Sequence, residues 1–192
     1  SVAAYATWLE TLSFVNVSSS ALDSTSYESA ELQYLKGDNA NAYSNFLSYL
    51  QNYPEGAFLL PAHYYLAKSA TEIDSLDQAI ASYEYISSAS SNKFSQSSIK
   101  ESALLYMSLQ QYSSALIKFE KLDLIAETVE EQLYAKQGLM DCYYELGAFD
   151  KAIEQAEIVL NSGRVDESLI LELNTFIARS AFLNLDLNLA RE

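Results

Sequence analysis

The chain has 192 residues, 49% of them hydrophobic, with only 5 Gly and 2 Pro; this balance suits a packed domain and supplies too few turn residues for a multi-strand architecture. Eleven Lys and Arg against 26 Asp and Glu leave a net charge of −15, which repels nucleic-acid backbones and anionic membrane surfaces, and no apolar run approaches the roughly 20 residues of a membrane helix. A single Cys and a single His exclude an internal disulfide and a Cys/His zinc site.

In chain order, Tyr5, Trp8, Leu9 and Leu12 fall at helical spacing and predict a leading helix over residues 2–15. Helix hairpins are then expected over 23–54, 57–91, 95–126 and 128–163, with a shortened one over 166–192. The period comes from Ala42, Ala79, Ala115 and Ala152, separated by 37, 36 and 37 residues, a spacing typical of stacked helical repeats. An aromatic follows one helical turn later in three cases, as Phe46, Tyr83 and Phe119. Ala67 and Ala103, each twelve positions before an anchor alanine, let the paired helix approach closely.

Turns are expected at Lys36-Gly37-Asp38, Ile73-Asp74-Ser75, Gln110-Gln111 and Leu146-Gly147. Thr25 with Glu28, Ser75 with Gln78, Ser98 with Glu101 and Thr128 with Glu131 each fit a capping box at a helix start. Loops are expected at 52–56, 87–91 and 161–163, with the Ser-rich stretch 87–98 as the mobile one.

The run from Leu139 to Ala152, with Tyr143, Gly147 and Phe149, resembles the tetratricopeptide repeat family. Further copies are carried by Tyr106, Tyr112, Ala115 and Phe119, by Leu66, Ala67, Leu76, Ala79 and Tyr83, and by Gly37, Ala42, Phe46 and Pro54. Ile177, Ala178, Leu187 and Ala190 fit a last copy that reaches Glu192 barely into its second helix. The resemblance covers roughly residues 23 to 192 and implies an all-α fold, a right-handed superhelical solenoid of antiparallel helix hairpins. Met140 stands where the family has a small residue and Ala156 where it has an aromatic, which suggests a volume-conserving exchange within one repeat.

By the same register the first helices line a concave groove. Its expected partner-binding residues are Tyr27, Glu31, Tyr34, Tyr64, Lys68, Lys100, Met107, Asp141, Tyr144 and Arg179, accompanied by Thr71, Leu104 and Phe182. Rings interleaved with single charges suit a peptide or a partner helix. Only Lys100 and Arg179 come near the basic set with which family members clamp a C-terminal carboxylate, so that ligand is not expected. Phe182, Leu183, Leu185, Leu187 and Leu189 leave apolar surface near Glu192, and a fragment of a longer array is expected, able to dimerise through its cut ends.

Chemistry is sparse. His63 and Cys142 read as packing groups, Glu130-Glu131 and the pair Asp141 and Glu145 as solvated helix faces, and neither a phosphate loop nor a nucleophile elbow appears. No catalytic residue, metal or cofactor is expected. The function that follows is a noncatalytic protein-protein interaction scaffold for a protein or peptide partner. The alternatives are the helical scaffold of an outer-membrane glycan-binding lipoprotein, with Tyr side chains and Trp8 stacking on sugars, or a docking or regulatory region of a larger enzyme. The stretch from Asn52 into Ala67 resembles repeat linkers of bacterial cell-envelope members of the family, Tol-associated and outer-membrane-assembly proteins among them, which implies the periplasm or cell envelope.

Overall fold

The computed structural model describes residues 19–189, and the leading helix expected over 2–15, with Trp8, lies outside them. Among the described residues the chain is entirely helical: α1 Ser19–Leu35, α2 Asn39–Asn52, α3 Leu59–Glu72, α4 Leu76–Ser88, α5 Ser95–Ser108, α6 Tyr112–Ile125, α7 Val129–Glu145, α8 Phe149–Leu160 and α9 Glu167–Leu189. The chain divides between Ser98 and Ile99 into two compact units. Every connection between described helices is three or six residues long.

In the first unit α1 packs on α2, α2 on α3 and α3 on α4, and α1 also reaches α3. Its core gathers Tyr27, Ala30, Ala42, Phe46, Tyr49, Ala62 and Leu66. In the second unit α6 packs on α7, α7 on α8 and α8 on α9. There one cluster holds Ile99, Ala103, Ala115, Phe119, Leu122, Ala135, Leu139 and Cys142, and another holds Ala156, Val159 and Leu173. All four anchor alanines are completely buried, as are Ala30, Ala67 and Ala103. A methyl is the largest group these helix crossings admit without displacing packed neighbours.

One turn geometry recurs. Gly37, Asp74, Gln110 and Gly147 all lie in the left-handed region, at φ of 76, 60, 57 and 71°. After each, the next amide donates to a carbonyl five residues back (Asp38 to Gln33, Ser75 to Ala70, Gln111 to Tyr106, Ala148 to Tyr143), and the left-handed residue itself donates to the carbonyl three back. These paired bonds form a Schellman motif and satisfy the last carbonyls of the preceding helix. Each left-handed residue precedes its anchor alanine by five positions. The period therefore couples a stop signal to a packing contact: the chain reverses, and the first turn of the next helix delivers a methyl to the crossing.

The capping expectations hold at one site. Thr128 accepts from the Glu131 amide at 3.2 Å while the Glu131 carboxylate accepts from the Thr128 amide at 3.1 Å, a complete capping box. Ser75 stands at the N-cap of α4 without a side-chain cap bond. Thr25 lies inside α1 and donates its hydroxyl to the Ala21 carbonyl at 2.7 Å, and Ser98 lies buried inside α5. In helix interiors such hydroxyls return to the preceding turn or pack, so the motif alone misplaces them. Asp38 and Asp166, by contrast, accept from the Asn41 and Leu169 amides and start α2 and α9.

The Ser-rich stretch is shorter as a loop than its composition suggests. Ser87 and Ser88 close α4 and Ser95 to Ser98 open α5, leaving residues 89–94 as the connection. Within it Asn92 Oδ1 accepts from the Phe94 amide and the Asn92 amide donates to Ser95 Oγ. At the other end of the chain, the second helix expected near Ala190 has no separate start before Leu189: α9 runs unbroken through Ile177, Ala178 and Asn184. Asn184 carries no left-handed turn; its side-chain amide donates to Asp150 Oδ1 at 2.6 Å, and the helix continues past it.

Candidate protein-interaction surfaces

In the first unit the expected surface residues come from α1 and α3. Tyr27 is a correction: it is 5% exposed, with its ring stacked on Phe58 at 4.7 Å and its hydroxyl donating to Glu31 Oε1 at 2.7 Å. Burial first, and the Glu31 carboxylate second, hold its phenol proton far above the ordinary range. Tyr27 is therefore core, and Glu31 is engaged with it. Tyr34 stays half-buried and tilts against Tyr65 at 4.9 Å.

Tyr64 is also half-buried, stacked on Phe94 at 4.8 Å with its hydroxyl 3.1 Å from Ser97 Oγ. Lys68 stands half-buried one turn further along α3, and Thr71 bonds back to the Ala67 carbonyl. The aromatics of α1 and α3 thus form a wall, most of whose ring area is spent on neighbouring rings.

The second unit offers more open surface. Lys100 is exposed, with its ammonium 4.2 Å from the Tyr134 ring centre. Met107 is half-buried and accepts from the Cys142 thiol at 3.4 Å, a packing contact more than a binding group. Tyr144 and Arg179 come together between α7 and α9, and Asp141, one turn before Tyr144 on α7, faces Glu172 of α9. The Tyr144 ring meets Phe149 edge-on at 5.5 Å and Phe176 at 5.2 Å, and the Arg179 guanidinium lies 5.5 Å over it. Leu104 and Phe182 are 43% and 64% exposed.

Beside this group a cleft of about 300 Å³ is lined by Gln137, Met140, Asp141, Leu169, Glu172, Leu173 and Phe176. The Asp141 side chain is solvent-exposed, and partial desolvation at the cleft mouth, then Glu145 and Glu172, raise its pKa to about 6. Glu172 and Phe176 were not among the expected residues. They stand one turn apart on α9, with Arg179 another turn on, and this helical spacing was the available signal.

The two packing assignments hold. The His63 ring stacks on Tyr85 at 3.8 Å, its Nδ1 is buried without a hydrogen-bond partner, and burial lowers its pKa to about 4. Cys142 is fully buried and its thiol is pushed up to about 12, chiefly by burial and then by Asp141. No group of three metal-ligating side chains occurs among the described residues. No described helix is long and apolar enough to cross a membrane.

The fold is the tetratricopeptide-repeat-like member of the α-α superhelical repeat class. Among solved structures the chain is similar to MamA AMB-1, at 20% identity and a TM-score of 0.61, covering 82% of this chain and 80% of that one. It is similar as well to the tetratricopeptide-like repeats of a Podospora anserina putative kinesin light chain, at 17% identity, a TM-score of 0.59 and 92% coverage of both chains. A tetratricopeptide repeat protein from Parabacteroides merdae shares 18% identity at a TM-score of 0.56, over 95% of this chain but 64% of that longer one. No family model matches the sequence, and no curated protein matches it.

Proposed function

We propose that the chain is a noncatalytic protein-interaction scaffold that holds a peptide or helix of a partner against its first-helix faces, chiefly the α7–α9 face of the second unit. The repeat proteins with which it shares a fold support a general scaffold role. The observation that carries the reading is the group formed by Tyr144, Phe176 and Arg179, in which rings and a guanidinium from two helices stand beside a surface cleft. Tyr, Trp and Arg are enriched among the residues that dominate interface energy: rings bring large contact area with few rotors to freeze, and a guanidinium brings a planar fork of donors. Short connections, three or six residues throughout the described chain, disfavour the glycan-binding alternative, which needs long inserted loops.

Affinity capture from the native cell tests the reading. The wild type is compared with Tyr144→Ala and with Leu124→Ser, the latter altering a side chain 85% exposed on α6. The reading predicts that Tyr144→Ala loses partners that Leu124→Ser retains, with both variants folded by circular dichroism. Equal recovery by all three proteins contradicts it.

A further inference from the structure

The α7–α9 cleft has a chemistry more specific than a generic peptide groove. Met140 from α7 and Leu169, Leu173 and Phe176 from α9 supply apolar walls, Gln137 adds a side-chain amide, and Asp141 and Glu172 place carboxylates at the same opening from the two opposite helices. Neither carboxylate is in an ion pair among the described residues. Arg179, one turn beyond Phe176 on α9, lies over the Tyr144 ring. An apolar slot ending in paired, uncompensated carboxylates matches one kind of side chain: a long aliphatic stem carrying a positive charge.

We infer that this cleft is a subsite for a Lys or Arg side chain of the bound partner, its stem lying against Met140 and Phe176 and its cation between Asp141 and Glu172. The inference rests on the reading of α7 and α9 as a partner-facing surface. The volume is adequate, since about 300 Å³ exceeds what one such side chain fills and leaves room for water around its head group. The net charge of −15 acts in the same direction by steering basic partners toward the chain. Like charges on opposite sides of a slot repel in the free protein, and a cation between them relieves that repulsion as it binds.

The probes are N-acetyl-arginine amide, N-acetyl-lysine amide and, as an uncharged match for the stem, N-acetyl-norleucine amide. Each is titrated into the intact chain while the Met140 methyl and Phe176 ring resonances are followed. Cationic probes are expected to shift both signals saturably, norleucine amide to bind at least tenfold more weakly, and Asp141→Asn/Glu172→Gln to abolish the difference. Glu55→Gln/Glu157→Gln removes the same charge from exposed positions elsewhere and is expected to leave the titration unchanged.

The inference is overturned if norleucine amide shifts the two signals as strongly as the cations do, or if the control pair weakens binding as much as the cleft pair. It is overturned equally if the cations move neither signal. A partner captured through Tyr144 while the cations leave Met140 untouched removes this subsite and leaves the scaffold reading standing. Loss of Tyr144-dependent capture with the cations still seated removes the scaffold reading and leaves the cation site.

Discussion

Asp23 and Tyr49, 26 residues apart, are joined by a hydrogen bond of 2.6 Å from the Tyr49 hydroxyl to Asp23 Oδ1, and both side chains are buried. The other carboxylate oxygen accepts from the Ala57 amide at 2.8 Å, and the Tyr49 hydroxyl accepts from the Phe58 amide at 3.1 Å. This one pair satisfies two backbone amides of the connection between α2 and α3 and binds that connection to α1. It also explains Gly56, where a Cβ would stand 2.5 Å from the Tyr49 hydroxyl.

Tyr49→Phe should lower the unfolding free energy by about 2 kcal/mol, because it orphans the Phe58 amide and removes one donor from a buried carboxylate. Asp23→Asn should cost a similar amount, and the double variant less than the sum of the two, since both act on one network. Urea denaturation of the three variants measures the shortfall.

The left-handed turns make a prediction of opposite sign at two equivalent positions. Gln110 sits at φ 57° with a side chain, and Gln110→Gly should stabilise the second unit by about 1 kcal/mol. Gly147, at φ 71°, has nothing within 4 Å of where a Cβ would stand, so Gly147→Ala should cost about 1 kcal/mol through backbone strain alone. Thermal unfolding midpoints moving in opposite directions would support the shared geometry.

Gly138 lies against the Phe119 ring, which an added Cβ would strike. Gly138→Ala should therefore destabilise by about 1–3 kcal/mol, and Phe119→Leu in the same chain should recover part of that loss. Denaturant midpoints of the single and double variants decide the point.

Met140 packs against the cluster that contains buried Ala156, so the two departures from the repeat pattern border one cluster. The exchange account predicts that Met140→Ala combined with Ala156→Tyr is more stable than the sum of the single effects by at least about 1 kcal/mol. Strict additivity in a double-mutant cycle would show that the two sites are filled independently.

Two groups set opposite pH dependences. His63 titrates near 4 in the folded chain and near its ordinary 6.5 when unfolded, so the unfolded state binds more protons between those values. Its contribution to stability is present above about 6.5 and is lost as the pH falls toward 4, and His63→Phe should flatten that limb. Asp141, exposed but partly desolvated at the cleft mouth and raised to about 6 by that and then by Glu145 and Glu172, works the other way: the folded state binds the extra proton. Asp141→Asn should therefore stabilise at pH 7, and the gain should vanish below pH 4. Denaturant titrations of each variant at pH 4, 5.5 and 7 measure both slopes.

The alanine ladder was legible because its requirement is local in kind: a crossing that admits only a methyl writes a small residue at every period. The turns were only half legible. Gly37 and Gly147 announce a left-handed residue, whereas Asp74 and Gln110 adopt the same conformation because the Schellman bonds and the packed alanine five residues later demand it. Thr25 and Ser98 read as caps because hydroxyls at i and acids at i+3 occur inside helices as well as at their starts. Among the groove residues, Tyr27 could not be separated from Tyr144 by register. Phe46, Tyr49 and Phe58 surround Tyr27, and Phe58 is delivered by a connection whose path depends on the Asp23–Tyr49 bond.

A photo-crosslinking amino acid placed at Arg179, and separately at Leu124, tests the partner-facing assignment of α7 and α9 most directly. After irradiation in the native cell, the account predicts a crosslinked protein species from position 179 and none from position 124. Crosslinks from position 124 with none from position 179 would place the interaction on the opposite helices and contradict the account.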